Sequence, residues 1–169
     1  MDLVKTSGGS FKLNGKPFRF LGANVYELAS LESSITKQVI ADSAEAGFKA
    51  LRFWLFENKT LAEQIKKLHE ICDAIKPYGI KLVISLADKW GYLQNYKIDE
   101  KWYINGYRNE YLKYVTAVTG EFKERSEIMI WELINEPETD NFNVFYEFAK
   151  AVSEEIKNVN ENHLLSVGT

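Results

Sequence analysis

The stretch Ile128-Met129-Ile130-Trp131-Glu132-Leu133-Ile134-Asn135-Glu136-Pro137 decides how this chain is to be read. An apolar run of buried-strand character ends abruptly in Asn-Glu-Pro, which sets a carboxylate where a strand gives out into a loop. Pro137 cannot donate to a sheet ladder and restricts the residue before it, so the strand stops there. In parallel α/β proteins the carboxyl ends of the strands are where ligands bind and chemistry is done.

Outward from this run, the chain alternates two kinds of segment. Strand-like runs are Phe18–Asn24, Ala50–Leu55, Ile80–Ala87, Ile128–Leu133 and Leu164–Val167; segments of helical period lie near 34–46, 60–76, 104–124 and 141–159. Thr60-x-x-Glu63 is a capping box, Pro77-Tyr78-Gly79 a stop, and Gly47 closes the first helix. Before the first strand, residues 10–20 form a hairpin signal, with Asn14-Gly15 at the positive-φ positions of a type I′ turn. Strand–helix alternation predicts βαβ units and a parallel sheet. Leu82-Val83-Ile84 and Ile128–Trp131 are apolar on both faces, which predicts a covering layer on each side, as in a barrel or a doubly wound sheet. Phe20-Leu21-Gly22-Ala23-Asn24 lacks the glycine fingerprint of a dinucleotide site. A loop is expected from Asp88 to about Tyr103.

Four strand ends carry polar or aromatic chemistry: Asn24-Val25-Tyr26, Arg52-Phe53-Trp54, Asp88-Lys89-Trp90 and Asn135-Glu136. Their convergence on one rim is what a (β/α) barrel site requires. Bland readings stand beside this. Arg52 and Glu132, each inside an apolar run, could pair as a structural ion pair, which is the role favoured for Glu132. Asp88 could cap a helix. Lys66-Lys67 and Glu154-Glu155 read as solvated helix faces.

The 169 residues amount to one domain, taken here as a single partial barrel over 1–169. With 21 Lys and Arg against 24 Asp and Glu, the formal charge of −3 argues against a nucleic-acid partner. No apolar run reaches the ~18 residues of a membrane span. Four Trp and nine Tyr suit a protein that handles flat apolar faces such as those of sugar rings, although core filling accounts for any single ring equally well. Cys72, with Leu68, Ile71 and Ile75 at helical spacing, is expected in the core. His69 and His163 lack ligand company at metal spacing, so no metal or other cofactor is expected. Met1-Asp2-Leu3-Val4-Lys5 has no secretory core, which leaves a cytoplasmic protein or a secreted one whose signal was removed.

Phe-x-Leu-Asn-Gly-Lys-Pro-Phe (11–18), Gly-Ala-Asn (22–24), Leu-Arg-Phe-Trp (51–54), Trp-Glu-Leu-x-Asn-Glu-Pro (131–137) and His-Leu-Leu-Ser-Val-Gly-Thr (163–169) occur in this order. Together they are similar to the first five strands of glycoside hydrolase family 5 (clan A), the β-mannanases and cellulases, and most to the β-mannanase branch. The resemblance implies a (β/α) TIM-type barrel, here about strands 1–5 with an N-terminal β-hairpin as bottom plug. It implies a retaining hydrolase of β-1,4-linked polysaccharide. Glu136 would be the general acid/base, and Asn135 would bond the sugar 2-hydroxyl, a contact that strengthens in an oxocarbenium-like transition state. Arg52 would orient the nucleophilic carboxylate, Trp54 and Trp90 would stack on sugar rings, and Asn24 would complete the binding set. A general acid wants a partly buried carboxyl beside apolar walls and a second carboxylate, and Glu136 is expected to have that setting. The loop Gly91–Tyr96 has a mannanase flavour.

The family barrel has eight strands and about 250 residues; relatives carry the nucleophilic Glu at the end of strand seven, which this sequence lacks. Completion is therefore expected from a missing C-terminal half, a complementary half-barrel or a second copy in a homodimer. In a four-plus-four closure, Asp88 of the second copy would stand near the place of the nucleophile. The alternatives are a non-catalytic carbohydrate-binding half-barrel and a self-associating scaffold.

Overall fold

The computed structural model describes residues 2–55, 59–91 and 97–168. The chain opens with three short strands, β1 (Val4–Ser7), β2 (Ser10–Leu13) and β3 (Lys16–Pro17), in an antiparallel sheet of that order. Asn14 and Gly15 take φ of 52° and 75° between the paired residues Leu13 and Lys16, as a type I′ turn demands. A second turn at Gly8-Gly9, φ 57° and 71°, adds β1, so the expected hairpin is a three-stranded sheet. The expected run Phe18–Asn24 is not one strand. Its first half leaves the sheet after Pro17, and the rings of Phe11, Phe18 and Phe20 gather with centroids 5.2–5.8 Å apart.

The rest alternates strand and helix: β4 (Gly22–Asn24), α1 (Ser33–Glu45), β5 (Ala50–Trp54), α2 (Leu61–Ile75), β6 (Lys81–Ser85), α3 (Glu100–Ile104), α4 (Tyr111–Glu121), β7 (Ile128–Glu132), α5 (Phe142–Val159) and β8 (Leu164–Ser166). The sheet runs β4-β5-β6-β7-β8, every neighbour pair parallel. Strand order that follows chain order without reversal is that of a barrel wall; a doubly wound sheet reverses at a switch point. Among the described residues no helix is long and apolar enough to cross a membrane.

The α2 capping box forms as its residues require: Thr60 Oγ1 accepts from Glu63 N–H at 3.3 Å, and Thr60 N–H donates to Glu63 Oε2 at 2.8 Å. The region 104–124 departs from its expectation of one helix. The helical chain starts earlier, at Asp99, whose carboxylate caps Trp102 N–H at 2.9 Å, and it breaks through a 3₁₀ turn at Gly106–Arg108. The break has a packing cause. Trp102, Tyr103, Tyr107 and Tyr111 all set their rings 5.1–6.1 Å from that of Phe148, whereas one continuous helix at about 3.6 residues per turn would spread them over half its circumference. Gly106 lies against Trp102, where a Cβ would come within 3.1 Å of the indole. Lys67 is not solvated as expected: its ammonium donates to Leu31 O at 2.8 Å and Thr36 Oγ1 at 2.9 Å, tying α2 to α1.

Alternation along the strands separates two faces. Leu51, Phe53, Leu82, Ile84, Ile128 and Trp131 are fully buried with Leu68, Ile71, Cys72, Ile75, Val118, Phe148, Val152 and Ile156 from the helices. Cys72 is thus a core residue, and burial raises its thiol pKa to about 12. The opposite face carries a row fixed by register: Asn24, Arg52, Val83, Ile130 and Leu164. Among the described residues the expected second covering layer is not there: Arg52, Val83, Ile130 and Leu164 are only half-buried.

His163, just before β8, belongs to a buried polar knot. Its Nδ1 accepts from Trp131 Nε1–H at 3.2 Å and Asn160 Nδ2–H at 2.9 Å, so its Nε2–H donates to Arg125 O at 2.9 Å. Burial is the main cause that lowers its pKa from 6.5 to about 4, with Lys157, Lys5 and Lys81 adding to it. Above pH 6.5 folded and unfolded chains both hold it neutral. Below that the unfolded chain takes a proton that the folded one refuses. We predict that stability falls by up to roughly 3 kcal/mol as pH drops from 6.5 towards 4. Urea unfolding across that range measures it, and His163→Gln should flatten the slope.

Candidate active site

The ends of β6, β7 and β8 keep bonding past the regular strands. Leu86 N–H donates to Glu132 O, Asn135 N–H to Ala87 O at 2.8 Å, and Lys89 N–H to Asn135 O at 3.1 Å. On the other side Leu133 N–H donates to Ser166 O, Gly168 N–H to Ile134 O at 2.9 Å, and Glu136 N–H to Gly168 O at 3.0 Å. Asn135 and Glu136 are thus stitched to both neighbouring segments. That matters because Glu136 has φ of +46°, left-handed backbone at a non-glycine residue that precedes proline. Sterics push a pre-proline residue towards extended conformations, and such an outlier costs of order 1–3 kcal/mol unless its surroundings over-determine it. Here backbone bonds from two sides do so.

Arg52 organises the side chains below. Its Nε donates to Glu132 Oε2 at 3.1 Å, and one terminal nitrogen donates to both Glu132 Oε1 and Asn135 Oδ1 at 2.5 Å. The other terminal nitrogen makes a longer bond to Asn24 Oδ1, 3.3 Å. Alternation puts Arg52 and Glu132 on the same sheet face, and between them β6 contributes only Val83 and Ser85. Arg52 makes the ion pair with Glu132 that was one reading of it, and the same guanidinium also holds the amide oxygen of Asn135. Asn135 Nδ2–H donates in turn to Asp88 Oδ1 at 2.8 Å.

Two expectations are corrected here. Asp88 is fully buried behind Asn135, so it does not reach outward to serve the site of a second copy. Glu136 is exposed rather than partly buried, because the strand end turns it out over the uncovered face. Its carboxylate accepts Trp90 Nε1–H at 2.6 Å. Trp90 is 47% exposed. Trp54 is half-buried, its ring 5.1 Å from that of Tyr26 and tilted by 49°. Tyr92–Tyr96, most of the loop with mannanase flavour, lie outside the described residues. Among the described residues no group of three or more His, Cys, Asp or Glu could hold a metal ion. The arrangement presents an amide, fixed at both ends, beside a carboxylate at the lip of an open sheet face: groups able to orient a hydroxyl and to move a proton.

Gly168 escaped sequence reasoning. A Cβ there would lie 2.5 Å from Glu132 Oε1 and 2.8 Å from the Arg52 guanidinium. Only the His-Leu-Leu-Ser-Val-Gly-Thr order hinted at it.

The family model for Cellulase (glycosyl hydrolase family 5) matches residues 11–169. The chain is 27% identical over 199 residues to mannan endo-1,4-beta-mannosidase A of Podospora anserina, covering 98% of this chain and 53% of that protein. It is 28% identical over 207 residues to mannan endo-1,4-beta-mannosidase 5 of Solanum lycopersicum, covering 98% and 50%. Among solved structures, the endo-1,4-beta-mannanase of Rhizomucor miehei superposes with a TM-score of 0.87 at 26% identity, over 98% of this chain and 60% of that one. The chain therefore spans about half the length of the curated relatives it matches, and its five parallel strands are part of the (β/α) barrel seen in those structures.

The close approach at Gly168 yields a test. Gly168→Ala forces the Glu132 carboxylate out of its two-point contact with Arg52. The expected loss is about 1–3 kcal/mol, the usual cost of overpacking, read by urea unfolding; an alanine variant as stable as the wild type would contradict the geometry.

Proposed function

The chain belongs to glycosyl hydrolase family 5, and we propose that it supplies the proton-donor side of a retaining β-1,4-glycanase whose substrate is mannan. The observation that carries this is Glu136 itself: a carboxylate on strained backbone at a strand end, next to an asparagine immobilised by Arg52 and Asp88. Strain held in place by two flanking segments is characteristic of working sites. In this reading Glu136 protonates the glycosidic oxygen as the bond to the anomeric carbon breaks, then takes a proton from the water that completes hydrolysis. Asn135 holds the 2-hydroxyl, and its amide is already aligned because Arg52 fixes the oxygen and Asp88 the nitrogen. Asn24 bounds the same rim. Trp54, half-buried beside Tyr26, is the stacking surface for a sugar ring in this reading. Mannan is preferred to cellulose because the relatives at 25–28% identity are named mannan endo-1,4-beta-mannosidases.

Retention requires a second carboxyl about 5–5.5 Å from the first. Arg52, expected to hold it, is already engaged by Glu132 of its own strand neighbourhood. We assign the nucleophile to sequence outside these residues, on a C-terminal half or a complementary half-barrel that covers the Val83–Ile130–Leu164 face. Closing that face would also give Glu136 the apolar walls it lacks.

The test is Glu136→Gln, assayed on β-mannan and carboxymethylcellulose, with titration calorimetry against mannohexaose alongside. Turnover by the assembled enzyme should fall by about 10²–10⁴-fold, the usual weight of general acid/base catalysis, while oligosaccharide affinity stays near that of the wild type. Unchanged turnover would remove Glu136 from the chemistry. Binding without turnover in the assembled wild-type enzyme, with the barrel closed, would assign the carbohydrate-binding alternative, and no binding at all the scaffold.

A further inference from the structure

We propose that Trp90 is a positioning residue that decides which oxygen of Glu136 carries the transferable proton; this rests on the acid/base reading of Glu136. The indole Nε1–H donates to Glu136 Oε2 at 2.6 Å. An indole nitrogen is a donor only, so Oε2 must present a lone pair to it in either charge state. In the ionised carboxylate the bond is charge-assisted. In the acid the hydrogen is favoured on Oε1, because the carbonyl-type oxygen is the better acceptor for the indole and a hydroxyl oxygen the weaker one. Oε1 is then the atom that gives and receives. As the Oε1–H bond breaks, the proton goes to the glycosidic oxygen, which keeps the electron pair of its bond to the anomeric carbon. On the return step the attacking water loses a proton to Oε1 while its oxygen bonds that carbon and the nucleophilic carboxylate departs. Through both steps Oε2 stays on the indole.

The indole is held for this task by charge rather than by burial. With 47% of Trp90 exposed, packing does little to set its angle. Lys89 and Lys97 place their ammonium groups 5.5 and 5.8 Å from the ring centroid, within the range of cation–π attraction. Lys89 is itself anchored by Glu138, 2.9 Å away. Those cations sit over the ring where a stacked sugar would lie, which makes the edge of Trp90, not its face, the functional part. The other carboxylate near the indole, Glu138, is tied to Lys89.

The test reads the indole directly and needs no turnover. In ¹H–¹⁵N spectra of the labelled chain, which has four Trp, the Trp90 signal is identified by its loss in Trp90→Phe. That signal should shift in a single step when the charge of Glu136 changes. The step should vanish in Glu136→Gln and persist in Glu138→Gln, while the signals of Trp54 and Trp102 stay in place as a check of folding; Trp131, bonded to His163, is left out of that check. A wild-type signal without a step, a step that survives Glu136→Gln, or one lost in Glu138→Gln would each overturn the proposal. The two claims fail separately. A step that behaves as expected in a chain whose mannan turnover ignores Glu136→Gln would leave the contact standing and remove the proton-donor role built on it.

Discussion

The Arg52 guanidinium is the interaction on which the upper rim of this sheet depends. It sits between a buried carboxylate, Glu132, and the amide oxygen of Asn135, with Asn24 at its outer edge. With Glu132 only 5% exposed at its side chain and Arg52 25%, the pair is largely out of water, where removing one partner strands the other at a cost of several kcal/mol. Its value here lies in direction more than in stability. A planar fork bound at two points cannot rotate, so Asn135 is aimed, and the adjacent Glu136 with it. The glycine at 168 is the counterpart of that fork: space without a side chain, so that the carboxylate can lie flat against the guanidinium.

The second constraint is the one-sided core. Helices seal one face of the sheet, and the row Arg52, Val83, Ile130 and Leu164 is left half-open. A parallel sheet is normally covered on both faces, and among the described residues β4 and β8 are its edge strands. The Rhizomucor miehei barrel that superposes on the chain is longer, this chain covering 60% of it. The same missing cover accounts for the open position of Glu136. Fold completion and site completion are thus one requirement, met by whatever closes the barrel.

How much of this could be read from residues alone follows from the range of the interactions. Asn135-Glu136-Pro137 announced a strand end because proline chemistry is local, and the β–α alternation was legible because burial imposes a period. The kink between α3 and α4 was not, since the apolar pattern runs through Gly106 unbroken and only the aromatic cluster on Phe148 demands it. The left-handed φ at Glu136 runs against the local rule for a residue before proline; backbone bonds to Gly168 and around Asn135 impose it. The ion pair of Arg52 with Glu132 was readable as one possibility from two charges inside apolar runs, but its further bonds to Asn135 and Asn24 depend on register and could not be. Trp90 was read as a stacking surface; that its Nε1–H meets the Glu136 carboxylate depends on a rotamer that nothing in its sequence neighbours specifies. Asp88 was placed correctly at a strand end but not in depth, and depth is what removes it from contact with a sugar.

The central claim is that these residues form one side of a catalytic centre whose second carboxylate lies elsewhere. Mass-resolved activity tests it most directly: size separation with in-line light scattering, each fraction assayed on β-mannan. The account predicts no hydrolysis in the monomer fraction, with any turnover confined to species in which a second half-barrel closes the sheet. A monomer that hydrolyses mannan would contradict it, because the chain would then hold both carboxylates.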